Sequence, residues 1–243
     1  VAQKIFAIAD AFEGPGSGAL TLTDISRRAH LPLSTTHRLL EEWVRWGGLV
    51  RDDEGYYRLG MKFWRLGVRA PTARRLRSVA LPFLEDLYEL TREHVHLAVL
   101  DGIGALYLER LSGRSAVKVI SDVGSRLPLH ATGVGLVLLA HAPDEVFDAV
   151  MASEPRKFLP NTMTTEMELR PRLAEIRASG LAESLNEMTD GTFSAAAPIR
   201  DQSGQVVAAV SIITHADKGG NPELGLAVRV AARGISRALG WRA

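Results

Sequence analysis

The stretch from Leu22 to Leu59 constrains this chain most. It holds two helical patterns joined by a tight turn, followed by a short charged hairpin. Thr23 precedes Asp24-Ile25-Ser26-Arg27-Arg28-Ala29. A hydroxyl cap at Thr23, an acid in the first turn and apolar residues at Leu22, Ile25 and Ala29 predict a short helix with one buried face. Leu31-Pro32-Leu33 stops it, because the residue before a proline is disfavoured in the helical region. Ser34 is then expected to cap a second helix whose inner face carries Leu39, Leu40, Trp43 and Val44. Thr35, Thr36, His37 and Arg38 occupy the other face of its first turn. Short hydroxyls, an imidazole and a guanidinium at an exposed helix N-terminus suit phosphate binding and base-edge contacts in the major groove.

Gly47-Gly48 ends that helix. Leu49-Val50-Arg51, Asp52-Asp53-Glu54-Gly55 and Tyr56-Tyr57-Arg58-Leu59 read as strand, polar turn and strand, a wing that carries Arg51, Tyr57 and Arg58 within reach of phosphates or the minor groove. With Arg27 and Arg28 from the first helix, the expected DNA-contacting set is Arg27, Arg28, Ser34, Thr35, Thr36, His37, Arg38, Arg51, Tyr57 and Arg58. A helical hairpin with no nucleic-acid role is the bland alternative. The order helix, Pro turn, Ser cap and wing argues against it.

Upstream, Val1, Ile5, Ile8, Ala9 and Phe12 recur at helical spacing, and 13–19 form a Gly-rich loop. The chain starts at Val1 rather than methionine, so its N-terminus is expected to be incomplete. Net charge is +1 over 243 residues, so bulk charge does not distinguish a nucleic-acid binder. Its distribution says more. Residues 61–77 carry Lys62, Arg65, Arg69, Arg74, Arg75 and Arg77 with no acid, and a basic segment after a wing can add phosphate contacts. The chain has no cysteine, which excludes disulfides, thiolate chemistry and Cys-based zinc. Its longest apolar run, Val134–Ala140, is far too short for a bilayer of ~30 Å. A cytoplasmic location without membrane association is the expectation.

Beyond a helix over Met61–Ala70 and a break at Ala70-Pro71-Thr72, a longer helix is predicted from Thr72 to about Glu93. Strands follow at Val95–Leu100, Ala105–Leu111 and Ala116–Ser121, then an extended Leu127–Gly133 leading into a helix to about His141. Helices are expected at Pro143–Ser153, Glu166–Ser179 and Leu224–Leu239, with strands at Leu181–Glu187, Thr192–Ile199 and Val206–Thr214. The fold class is α+β in two domains. The expected division is a DNA-binding domain over 1–60, a linker helix region over 61–77 and a ligand-binding domain over 78–243.

The physical reading places a small-molecule pocket near Gly133. Thr132 can cap the helix there, and the free N–H groups of Gly133 and Val134 favour an anion such as a carboxylate. Leu127 and Leu129 form an apolar wall next to Ala131. Ser194, Ala196, Ser211 and Ile213 alternate along the late strands and form a floor. His94 and His96, two apart at a strand start, permit a metal pair, but no third ligand is identifiable and no metal is expected. His130 is read as a loop hydrogen-bonding group. There is no Gly-x-Ser-x-Gly elbow and no credible pair of catalytic carboxylates, so no catalytic residue is assigned. An enzyme with an accessory DNA-binding head is the alternative, and a structural nucleoid binder a third reading.

Leu31-Pro-Leu-Ser-Thr-Thr-His-Arg-Leu-Leu40, Gly48-Leu-Val-Arg51 and Tyr57-Arg-Leu-Gly60 resemble the DNA-binding domain of IclR-type bacterial transcriptional regulators. Leu127-Pro-Leu-His-Ala-Thr-Gly133, Ala195-Ala-Ala-Pro-Ile199 and Ser203-Gly-Gln-Val-Val-Ala-Ala-Val-Ser211 extend the resemblance over nearly the whole chain. It implies a winged helix-turn-helix followed by a GAF-like antiparallel-sheet sensor domain that binds a small-molecule effector. It further implies no cofactor, a double-stranded operator as partner, and a homodimer or dimer of dimers. By the same resemblance Glu187 falls near an acid of the effector site. The chain departs from the family at Leu33, where a Lys or similar residue is usual, and at Leu136, where Lys is common. It also departs at Ser194 for a frequent Cys and at Ile213 for a frequent Ser. These changes make one side of the pocket less polar and favour an effector with apolar or aromatic bulk and one carboxylate.

Overall fold

The computed structural model describes all residues except 1, 14–17, 68, 70, 114–116, 118 and 243. The chain divides into two compact units, Val1–Arg74 and Arg75–Ala243.

In the first unit, α1 (Ala2–Asp10), α2 (Leu22–Arg28) and α3 (Leu33–Trp46) enclose a core of Ile8, Ile25, Leu39, Leu40, Leu49 and Tyr57. The cap of α2 is Thr21, not Thr23. Asp24 then stands at the third helical position, where its carboxylate accepts from the Thr21 N–H (3.3 Å) while its own N–H donates to Thr21 Oγ1 (3.1 Å). This reciprocal box starts the helix at Leu22. The turn after α2 passes through His30 at φ 53°, and Ser26 Oγ locks it by donating to the Leu31 carbonyl at 2.6 Å. Pro32 rather than Ser34 occupies the cap of α3 and gives no side-chain cap bond. Its fixed φ suits that entry. The helix closes on Gly47 in the left-handed region at φ 80°.

The wing is β1 (Leu49–Arg51) paired with β2 (Tyr57–Leu59), Val50 opposite Arg58. Leu20 adds a bridge, exchanging both backbone bonds with Tyr57 at 3.0 and 2.8 Å. α4 (Met61–Gly67) leaves the wing and packs on the end of α3, with Phe63 stacked 5.4 Å from Trp43 and Lys62 donating to the Trp46 carbonyl at 2.9 Å. Between wing and α4, a Cβ at Gly60 would meet the Gly47 carbonyl oxygen at 2.5 Å. That neighbour is backbone and cannot swing aside. Gly60→Ala should therefore destabilise this unit by about 1–3 kcal/mol, read as a lowered Tm by differential scanning calorimetry.

The second unit is a six-stranded antiparallel sheet in the order β5-β4-β3-β8-β7-β6. Its strands are β3 (His94–Asp101), β4 (Gly104–Leu111), β5 (Arg126–Pro128), β6 (Ala182–Leu185), β7 (Thr192–Arg200) and β8 (Val206–His215). On one face α5 (Pro71–Thr91) and α9 (Pro222–Ala238) cover Val95, Leu97, Ala195, Val210 and Ile212. On the other, α6 (Gly133–His141), α7 (Asp144–Ala152) and α8 (Glu166–Ser179) cover Ala98, Tyr107, Ala196 and Ala209. α6 is buried from Gly133 to Ala140, as its all-round apolar sequence requires. The units thus combine a helical head with an α/β unit built on an antiparallel sheet.

The predicted strand over Ala116–Ser121 is not found. Residues 114–116 and 118 lie outside the described residues, and Val117 and 119–121 join no strand. Side chains hold this segment instead of a ladder. His94 Nε2 lies 2.5 Å from the Val117 carbonyl oxygen, His96 Nε2 3.1 Å from Ser121 Oγ, and Arg110 Nη1 donates to the Ser121 carbonyl at 2.6 Å. The sheet edge is filled by Arg126–Pro128, with Leu127 opposite Ala105.

Candidate nucleic-acid interface and ligand pocket

Around the start of α3, the structure exposes Ser34, His37 and Arg38, with Thr35 half-buried. Arg38 has neither an ion pair nor a hydrogen bond among the described residues, while His37 Nδ1 lies 3.9 Å from Glu41. Because Pro32 supplies no side-chain cap, the first amides of α3 have only solvent or an incoming anion to meet. Thr36 does not belong to this face. It is fully buried, and its hydroxyl donates to the Pro32 carbonyl at 3.0 Å, so it cannot reach a base edge. Its position continues the inner row of Leu39, Leu40 and Trp43.

Arg27 and Arg28 are exposed but engaged, Arg27 with Asp24 at 2.8 Å and Arg28 with the Ala11 carbonyl at 3.1 Å. On the wing, Arg51 and Arg58 are exposed. Tyr57 is not: its ring is buried in the core with the Arg51 guanidinium 5.5 Å above it. The wing cations are thus Arg51 and Arg58, and Arg58 is paired with Asp52 at 3.3 Å. Of the basic segment, Arg77 is spent on the buried Glu109 carboxylate at 2.6 Å.

In the second unit a small cavity of about 40 Å³ lies at the N-terminus of α6. Leu127, Ala131, Gly133, Val134, Ser194, Ser211 and Ile213 line it, as their pattern predicts. Cross-strand register brings the floor together, with Ser194 opposite Ile213 and Ala196 opposite Ser211. Thr132 caps α6 by accepting from the Gly135 N–H at 3.1 Å, which leaves the preceding amides of Gly133 and Val134 at the cavity. The hydroxyls of Ser194 and Ser211 are buried without a partner. Each such group costs about 1–3 kcal/mol unless something bonds it.

Three expected residues lie elsewhere. Leu129 is fully buried in the core beneath α6, and Ala196 packs there too. Glu187 is buried but outside the lining. One of its carboxylate oxygens has no partner, and burial, set against the attraction of Arg172, pushes its pKa up to about 7. In their place come Tyr107, Ser121, Thr132, Ser184, Met188 and Thr192, among others. Inward alternation on β4 and β6 was the available signal for Tyr107 and Ser184. Val119 and Ile120 carry no periodic signal at all.

His94 and His96 do face the same way, with rings stacked 6.0 Å apart. Both are buried rather than exposed at a strand end, and burial above all lowers both pKa values, that of His96 to about 3. They serve as fasteners for Val117 and Ser121, and no group of three or more metal-ligating side chains occurs among the described residues. His130 hydrogen-bonds the Arg156 carbonyl at 2.9 Å, as a loop-holding role requires. No described helix is long and apolar enough to cross a membrane.

Two family models match this chain: the IclR helix-turn-helix domain over residues 1–53 and the bacterial transcriptional regulator IclR C-terminal domain over residues 69–237. The HTH-type transcriptional regulator XynR of Escherichia coli is 33% identical over 92% of this chain and 91% of its own length. The HTH-type transcriptional repressor AllR of Klebsiella pneumoniae is 34% identical over 93% and 85%. Among solved structures, an IclR homolog from Microbacterium hydrocarbonoxydans complexed with 4-hydroxybenzoate superposes with a TM-score of 0.89. It shares 37% identity and 98% coverage of both chains. A reading helix with free N-terminal amides, a wing and a sensor sheet with a buried polar pocket, joined to these matches, make the chain a member of the IclR family, a DNA-binding transcriptional regulator with an effector-binding C-terminal domain.

Proposed function

We propose that operator affinity is set by a small aromatic monocarboxylate in the cavity ahead of α6, within a GAF-like sensor. The observation that carries this is the pair of buried, unpartnered hydroxyls, Ser194 and Ser211, in a lining that also presents the N-terminus of α6 and the apolar side chains of Leu127, Val134 and Ile213. Helix amides and hydroxyls answer a carboxylate, and the apolar wall answers a ring. The 4-hydroxybenzoate bound by the Microbacterium homolog supports the same class. At about 40 Å³ the cavity is far below the ~300–1,000 Å³ of ordinary ligand sites. Entry of the effector therefore displaces the Val119–Ser121 cover or the Met188–Thr189 turn, and that displacement lets one ligand favour one arrangement of the protein over another.

On the DNA side, two heads in a homodimer read a pseudo-palindromic operator, with Ser34, Thr35 and His37 toward the bases and Arg38, Arg51 and Arg58 toward phosphates. Arg27 and Arg28 act chiefly in holding α2. Arg38→Ala should weaken binding to operator and random DNA alike by about tenfold, and reduce the salt slope by about one. Fluorescence anisotropy at three salt concentrations measures both. A loss confined to operator DNA would assign Arg38 to a base instead.

A further inference from the structure

A second cavity opens at the other end of α6, with a volume of about 740 Å³ and no lining residue in common with the pocket at Gly133. Leu100, Phe147 and Leu173 give it an apolar floor. Its polar lining includes Arg170, Arg177, Arg200 and His141, with Asp144 as the single carboxylate among the described lining residues. Arg170 is already committed, 2.5 Å from Glu166 and 4.4 Å above the Phe147 ring. Arg177 and Arg200 are not. Among the described residues neither has an ion pair.

Both are held in place by neutral acceptors. Arg177 Nη1 donates to the Ala140 carbonyl at 2.9 Å, at the end of α6. Arg200 Nη1 donates to the Gly204 carbonyl at 2.8 Å, and its Nη2 reaches His141 Nε2 at 3.3 Å. For that nitrogen to accept, the His141 proton must sit on Nδ1, which lies 3.0 Å from the Val137 carbonyl. Burial, and then the two guanidinium charges, keep His141 neutral by lowering its pKa. Of five N–H donors apiece, bonds among the described residues use one on Arg177 and two on Arg200. At the same rim α7 begins behind Pro143, which supplies no side-chain cap.

We propose that this cavity binds a small polyanion, an organic phosphate or polycarboxylate, gripped by Arg177 and Arg200 and seated on the Leu100–Phe147–Leu173 floor. Two uncompensated guanidinium groups beside the neutral His141 form a fork matched to phosphate or carboxylate oxygens, and a ligand with at least two negative charges satisfies both. The site is independent of the effector reading above.

The test is isothermal titration of the full chain with pyrophosphate and, separately, with citrate, at ionic strength held constant with potassium chloride. We expect saturable binding of at least one, which identifies whether phosphate or carboxylate chemistry is preferred. Arg177→Gln and Arg200→Gln should each weaken it by about tenfold or more, while Gly133→Asp leaves it unchanged. Arg177 is an exposed side chain near the end of α8, so its variant decides the matter even if Arg200→Gln fails to fold. No saturable binding, or equal affinity in wild type and Arg177→Gln, would overturn the proposal and leave these arginines to a macromolecular partner.

Discussion

Gly133→Asp will leave operator binding intact and make it indifferent to the effector. A Cβ at this position would stand 2.5 Å from Ser194 Oγ and 3.4 Å from the Ala196 Cβ, so the new side chain enters the cavity at its polar end. It would also set a carboxylate against the carboxylate of the ligand. Like charges forced together cost several kcal/mol, so effector affinity should fall by at least about 100-fold. Gly133→Ala separates shape from charge. Its methyl displaces a hydroxyl that can rotate, so the fold survives, and a smaller loss of affinity is expected. Circular dichroism at equal concentration checks folding, and titration with 4-hydroxybenzoate reads the affinities. Unchanged affinity in both variants would remove Gly133 from the site.

The second large effect concerns acidity. Glu187 and His96 are buried with opposing consequences. The pKa of Glu187 rises from 4.5 to about 7 on folding, chiefly through burial. Between those values the native state holds a proton that the unfolded chain has released, so this group costs stability as pH rises from about 4.5 to 7. His96 falls from 6.5 to about 3, again chiefly through burial, with His94 and Arg110 adding to the shift. Here the unfolded chain takes the proton, so the stability His96 contributes is present above pH 6.5 and is lost as pH falls toward 3. Over pH 8 to 5 the two terms offset, each on the order of 2 kcal/mol.

Glu187→Gln should expose the imbalance. The variant gains roughly 2 kcal/mol over wild type at pH 8, and that gain shrinks toward pH 5 as the wild-type Glu187 takes up its proton. Thermal unfolding of the sensor transition at three pH values measures this. Parallel curves for variant and wild type would show that Glu187 ionises normally in the folded protein.

The reading head was legible because each piece has a local cause. The Pro turn, the Gly47-Gly48 stop and the polar wing turn all announce themselves within a few residues. Thr36 stands three and four residues before Leu39 and Leu40, so helical spacing already placed it inward, but its hydroxyl made it look like a contact residue. Tyr57 is buried because Leu20, distant in sequence, exchanges both backbone bonds with it and packs with it in the core. The alternating strands of the sensor were likewise readable, which is why Ser194, Ser211 and Ile213 fell on the cavity floor. What escaped was the cover. His94 holds Val117, and His96 and Arg110 hold Ser121, and a segment held by side chains leaves no period in the sequence. Ala196 shows that alternation gives the face of a strand, not how far along it the cavity extends, and Leu129 turns into the core because the extended segment coils into a 3-10 turn over Leu129–Ala131.

The most direct test compares binding to DNA flanking the protein's own gene with binding to random DNA of equal length, at fixed salt. Both are measured with and without 4-hydroxybenzoate, benzoate and an aliphatic monocarboxylate. The account predicts a clear preference for the flanking DNA that an aromatic acid shifts and the aliphatic acid does not, with the shift absent in Gly133→Asp. A preference that no aromatic acid alters would contradict it.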